Sequence, residues 1–192
     1  MVPSVEACFR LMDRYGMLEH IRAHSLVVAK VAHFLARKLI AVGVEVSIET
    51  VTAGALMHDI GKTDSLQSGR DHSRTGARIC IENNLHEIAD IVREHVRLKD
   101  YNPNDRLSEK EIVFYSDKRV NHDRIVNLDD RLAYILERYG KEDRVLRGAI
   151  QANFDLCRKV EARLFHKLDF SADRLAVLAG DEDIGVHRDT RG

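Results

Sequence analysis

Apolar side chains in this chain recur at steps of three and four, while strict period-two alternation is scarce, and that spacing dictates helices. The series Ile21, His24, Val28, Val31 and Leu35 forms one inward stripe, with Arg22, Lys30 and Arg37 left for water. Only two prolines, Pro3 and Pro103, and eleven glycines interrupt the good helix formers. The expected fold class is all-α. With 192 residues, 44% of them hydrophobic, the chain has material for a single substantial core, so one domain is expected over residues 1–179.

Start and stop signals divide the helical pattern. Ser4 is placed to cap a first short helix that ends at Tyr15-Gly16, and a long second helix follows. Ser47 caps a third helix, carrying Val51, Ala55, His58 and Asp59 on neighbouring rows, and Gly61 is expected to end it and turn the chain sharply away. Residues 62–71 read as a polar loop. The next helix starts at 71–73, Asn83-Asn84 interrupts it, and Ile88, Val92 and His95 continue at helical steps. A turn surrounds Pro103, and Ser108 with Glu111 makes a capping box for a helix that sets Val113, Asp117 and Val120 on one face. Asn127 opens a helix closed by Gly140, and a last long helix is expected over 142–166. The end of the chain, GDEDIGVHRDTRG over 180–192, is polar and expected to be disordered.

Thirty basic against thirty-one acidic residues leave a formal net charge of -1, so no global field recruits nucleic acid or an anionic membrane; either would need a local patch. Eleven aromatic residues, none of them tryptophan, announce no stacking platform for single strands. Cys8, Cys80 and Cys157 form no CxxC pair and read as buried thiols of a reducing compartment. The most apolar run, 26–44, is broken by Lys30, His33, Arg37 and Lys38, and the first sixteen residues lack a basic-then-apolar leader. A cytoplasmic location, away from the membrane, is the expectation.

Against this background one group of residues is out of place. His24, His58, Asp59, His95 and Asp117 fall on apolar faces, and His72 stands at a helix start. An unpaired carboxylate or imidazolium in a core is strongly unfavourable, whereas a divalent cation neutralises the carboxylates and takes neutral imidazole nitrogens directly. Four imidazoles and two carboxylates exceed what one ion needs while it keeps a position open for water; they suit two ions bridged by an aspartate. Imidazole-rich ligation with carboxylates favours transition metals, iron or manganese first, then cobalt, nickel or zinc, over calcium or magnesium.

The ordered set His24, His58-Asp59 and Asp117 resembles the H…HD…D signature of the HD superfamily of metal-dependent phosphohydrolases, and residues 58–61 spell its HDIG variant. His72 and His95 match the two extra histidines of binuclear members. The resemblance covers residues 21–139. It implies an all-α bundle with the metal site between helices, in which His24, His58, Asp59 and Asp117 hold one ion and His72, His95 and a bridging Asp59 the other. No GYP follows His95, which departs from the cyclic-dinucleotide phosphodiesterase branch. The same ligand order is similar to myo-inositol oxygenase and related mixed-valent di-iron oxygenases, so oxygen chemistry on a small substrate is an alternative; a non-catalytic nucleotide- or metal-binding sensor is another.

The leading expectation is hydrolysis of a small phosphate ester or anhydride, most plausibly a nucleotide, at a metal-activated water. Asp59 and Lys62 are the expected catalytic residues. Lys62, Arg74, Arg97 and Arg119 are the candidate substrate contacts, with Lys118 beside Arg119 at the mouth. The partner implied is a small phosphorylated substrate.

Overall fold

A computed structural model describes residues 1–140 and 143–185. The described residues form ten α-helices: α1 Val5–Arg14, α2 Glu19–Ala41, α3 Ile48–Met57, α4 Lys62–Ser68, α5 His72–Glu82, α6 His86–Glu94, α7 Glu109–Lys118, α8 Leu128–Tyr139, α9 Arg144–Phe165 and α10 Leu175–Ala179. The all-α expectation holds. The only strands among the described residues are β1 Val120–Asn121 and β2 Arg124–Ile125, an antiparallel hairpin pairing Val120 with Ile125.

The caps act as the side chains dictate. Ser4 and Ser47 accept from the backbone N–H groups of Ala7 and Thr50, and the Ser108–Glu111 capping box is complete. Asp71 accepts from the N–H groups of Ser73 and Arg74, which fixes His72 as the first residue of α5. Residues 62–68, expected as loop, form the short helix α4. Its seven residues bury no side chain, so no apolar stripe announced it.

Helix α2 is the central element, packed against α3 and α7, while α5 pairs with α6 and α8 with α9. Val28, Val31, Leu35 and Leu39 of α2 are fully buried, and each such side chain contributes about 1.5–3 kcal/mol. The start of the expected disordered tail is packed instead. Ile184 is buried, the Glu182 carboxylate accepts two bonds from Arg37 at 2.9 and 3.0 Å, and Lys30 donates to the carbonyl of Gly180 at 3.2 Å. The rest of that segment, 186–192, lies outside the described residues, as do 141 and the first residue of the expected last helix, 142. No helix among the described residues is long and apolar enough to cross a membrane.

All three cysteines are free and buried, and burial pushes each thiol up to about 12. At pH 8 their thiolate population is negligible, so native protein is expected to resist an alkylating reagent and to take up three equivalents only after denaturation. Rapid native labelling, counted by intact mass, contradicts this burial.

Candidate metal centre

The six expected ligand residues converge from five segments. His24 comes from the second turn of α2, His58 and Asp59 from the turn after α3, His72 from the start of α5, His95 from the end of α6 and Asp117 from the last turn of α7. His24 Nε2 stands 3.1 Å from Asp117 Oδ1, and His58 Nε2 stands 3.6 Å from the same oxygen. On the other side His72 and His95 bring their Nε2 atoms to 3.2 Å of each other, at 3.4 and 3.6 Å from Asp59 Oδ1. The second oxygen, Asp59 Oδ2, faces His58 Nε2 at 3.5 Å. Two groups of potential ligand atoms therefore meet at one carboxylate: His24, His58 and Asp59, and Asp59, His72 and His95.

The fit to a cation rests on atoms that have nothing else to bind. Asp59 Oδ1 and His58 Nε2 are buried without a hydrogen-bond partner. Leaving such groups bare costs about 1–3 kcal/mol each, more for a charged oxygen. Three imidazoles are oriented for a ligand's role by backbone carbonyls, each 2.7 Å from an Nδ1: His122 for His24, Ala55 for His58 and Val92 for His95. Nδ1–H donates to the carbonyl, so the lone pair sits on the Nε2 that faces the cluster. Ligand atoms about 2.1 Å from one ion lie roughly 3.0–3.4 Å apart at octahedral or tetrahedral angles, close to the spacings here. The residues present fit a divalent metal ion.

The charges agree. Burial by itself raises the Asp59 carboxyl, but His58, His95 and Lys62 outweigh it and hold the group well below the usual carboxylate range. Asp117 is likewise held low, burial being overcome by Lys118, His24 and His58. Burial pushes His72 down to about 4 and lowers His95, so both are neutral donors at neutral pH. His58 goes the other way: burial alone would lower it, but the carboxylates of Asp59 and Asp117 outweigh burial and raise it.

A cavity of about 460 Å³ opens onto Asp59, His72, His95 and Asp117. Three cations line it. Lys62 Nζ lies 2.8 Å from Asp59 Oδ2; burial lowers its basicity but the carboxylate outweighs this and raises it. Lys118 is buried and donates to the carbonyl of His95 at 2.6 Å and to Asp117 Oδ2 at 3.3 Å, which turns Asp117 Oδ1 toward the histidines. Arg131, unforeseen, donates to Asn121 Oδ1 at 2.8 Å and borders the same cavity. The far wall is Ile135 and Tyr139 of α8 with Leu146, Ile150, Asn153 and Phe154 of α9. Four large apolar side chains left exposed, Leu66, Val96, Tyr139 and Leu146, border this cavity. The signal was present as a stripe: Arg131, Ile135 and Tyr139 are spaced by four along α8.

The expected substrate contacts separate. Lys62 lines the cavity, whereas Arg74 and Arg97 are exposed and line an adjoining cleft. Arg119 reaches neither. It is buried, with Nε donating to the Val126 carbonyl at 2.6 Å, Nη2 to that of Ala172 at 3.0 Å, and Nη1 to the Tyr115 hydroxyl and to Glu161 at 3.2 Å. Two residues beyond Asp117 on a ~3.6-residue turn it points about 200° away, into the junction of α7, the hairpin and α9. The third helix ends at Met57, earlier than expected, and Gly61, with φ −82°, stands at the start of α4, where the absence of a side chain allows close approach to α5. His122, at φ 55° in the hairpin turn, contributes its backbone carbonyl to His24 while its ring packs on Tyr134.

Arg119→Ala is expected to destabilise the fold by about 3 kcal/mol, because it strips a buried network of its only cation. Lysine should not restore it, lacking the planar fork. Thermal unfolding reads this as a melting temperature lower by roughly 6–12 °C, and a shift under about 2 °C contradicts the role.

Comparison with known proteins agrees with this geometry. The family model of the HD domain matches residues 21–135. A tRNA (cytidine(56)-2'-O)-methyltransferase of Thermoplasma volcanium is 32% identical over 97 residues, which is 50% of this chain and 27% of that protein. One of Picrophilus torridus is 30% identical over 142 residues, 66% of this chain and 39% of that protein. An uncharacterized protein of Methanocaldococcus jannaschii is 29% identical over 153 residues, 72% of this chain and 88% of that protein. The chain thus spans well under half of either methyltransferase. No solved structure matches it.

Proposed function

We propose, for a chain that belongs to the HD domain family, a metal-dependent phosphohydrolase that holds two divalent transition-metal ions bridged by Asp59 and cleaves a phosphate ester or anhydride, most plausibly of a nucleotide. The observation that carries this reading is the split allegiance of Asp59, whose two oxygens face different imidazole groups while Oδ1 has no hydrogen-bond partner. His24, His58, Asp59 and Asp117 would hold one ion, and Asp59, His72 and His95 the other; iron or manganese suits this donor set first.

A pair of such ions supplies a nucleophilic water at neutral pH and positive charge against the phosphoryl group. The chain's own residues do the rest. Lys62, with its ammonium at the cavity wall, receives a phosphoryl oxygen, and Arg131 offers a second cationic contact from α8. Lys118, fixed by two bonds, keeps Asp117 Oδ1 aimed at His24 and His58. Leu66, Val96, Tyr139 and Leu146 take the apolar part of the substrate at the mouth. Three cations at the cavity favour an anionic, phosphorylated substrate. Two relatives are named for acting on tRNA, which supports a nucleotide-bearing substrate; methyl transfer is not carried over from proteins of which this chain covers so little.

Elemental analysis of metal per chain, combined with phosphate release from a panel of phosphoesters and anhydrides under added manganese, iron, cobalt, nickel or zinc, tests the reading. Up to two ions per chain and metal-dependent release are expected. No turnover of any compound by fully loaded protein overturns it, and substrate-dependent oxygen uptake by the iron-loaded form would replace it with the oxygenase.

A further inference from the structure

The metal-facing cavity does not stand alone. A cleft of about 720 Å³ adjoins it and shares five lining residues with it: His72, Val96, Leu146, Ile150 and Asn153. The cleft is lined by four more cations, Arg74 of α5, Arg93 of α6, and Arg97 and Lys99 just beyond α6. Their charge is largely uncompensated. Arg93 has a distant partner in Asp90, 4.0 Å away, and the side chains of Arg74, Arg97 and Lys99 form no ion pair among the described residues. Against these four cations the cleft lining holds one carboxylate among these residues, Asp71, which accepts from the Ser73 hydroxyl and the N–H groups of Ser73 and Arg74. With Lys62, Lys118 and Arg131 in the inner cavity, cations line a continuous path that ends at the cluster. A net charge of -1 for the whole chain makes so local a concentration the patch that anion binding requires.

The space between the two cationic regions is aliphatic. Val96, Leu146, Ala149 and Ile150 form its walls, and Asn153 adds an amide. An inorganic polyphosphate has nothing to place against such a surface, and a mononucleotide held by its phosphate at the metal cluster leaves the outer cations unused. A chain of nucleotides satisfies both parts, with the apolar faces of ribose and base buried against the aliphatic strip and the next phosphates among the arginines.

We infer that the cleft of Arg74, Arg93, Arg97 and Lys99 is a second phosphate subsite, and that the substrate is a short single-stranded oligonucleotide whose end enters the metal-facing cavity. This rests on the phosphohydrolase reading for the direction of entry but not for the binding itself.

The test is binding of a fluorescent phosphorothioate-linked tetranucleotide, which resists cleavage, to metal-loaded full-length protein, followed by anisotropy over a range of salt. The tetranucleotide should bind at least about tenfold more tightly than 5′-AMP measured by competition, with a steep salt dependence. The pair Arg74→Glu and Arg97→Glu should lower that affinity about tenfold or more and flatten the slope of log affinity against log salt by about 1 to 2. Arg10→Glu, exposed on α1 and outside both cavities, controls for nonspecific charge. Equal affinity for 5′-AMP and the tetranucleotide overturns the inference, as does charge reversal without effect. Inorganic tetraphosphate competing as well as the tetranucleotide also overturns it, since the cleft would then be a bare anion patch. Tight, Arg74- and Arg97-dependent binding by a protein that hydrolyses no phosphoester would remove the phosphohydrolase and leave the subsite standing.

Discussion

Replacing Asp59 by asparagine is expected to empty both halves of the cluster at once and to lower metal-dependent phosphate release by at least about a hundredfold. The reason is positional. Asp59 Oδ1 faces His72 and His95 while Oδ2 faces His58, so an asparagine must turn an NH₂ donor toward one side, where a lone pair is needed, and carries no charge toward either. The substitution conserves volume, so loss of metal would not reflect loss of fold. Single-sided variants supply the contrast. His24→Ala should cost the ion on the Asp117 side, and His95→Ala the ion on the His72 side, each leaving the other ion in place. Elemental analysis of the three variants separates the cases. Asp59→Asn protein that still carries two ions would remove the bridge, and wild-type protein that never exceeds one ion, with His95→Ala unaffected, would reduce the centre to its first half.

Why this centre was legible in the sequence, and its surroundings were not, has a physical explanation. His24 sits on the same stripe as Val28 and Leu35, so the helical period alone forces it inward, and an inward imidazole needs a partner. His58 and Asp59 directly follow α3, which is buried at every residue from Val51 to Met57, and two adjacent polar side chains there raise the same demand. The all-α class followed from the same periodicity. What the period does not encode is anything made by backbone atoms or by helices far apart in sequence. The His122 carbonyl that orients His24 belongs to a hairpin of two-residue strands, too short to carry a pattern. The far wall of the cavity comes from α8 and α9, whose stripes read as ordinary amphipathic faces until their packing opens a cavity against the cluster. Of the pair Lys118-Arg119 expected at the mouth, Lys118 lines the cavity and Arg119 does not, because two positions along a helix from Asp117 reverse the direction of a side chain.

Gly61→Ala should be the most disruptive small change in the chain, and its damage should begin at one ion. A Cβ at this position would lie 2.4 Å from the carbonyl oxygen of His72 and 2.5 Å from the N of Gly76, both backbone atoms of α5. No rotamer change relieves a contact with backbone, so the helix must retreat, at a cost of about 3 kcal/mol, the upper end of ordinary overpacking. His72 is the first residue of α5 and moves with it, away from His95 and Asp59. His24, on α2, and Asp117, on α7, are not carried by that helix. The variant should therefore keep the ion held with His24 and Asp117 while losing the one held with His72, alongside its lower melting temperature. Gly148→Ala gives the matched comparison: that glycine lies inside α9 with nothing within 4 Å of an added Cβ. There alanine should stabilise by about 0.5–1 kcal/mol and leave the metal content alone. If Gly61→Ala melts like wild type and retains both ions, the placement of His72 beside Asp59 does not depend on close approach at Gly61.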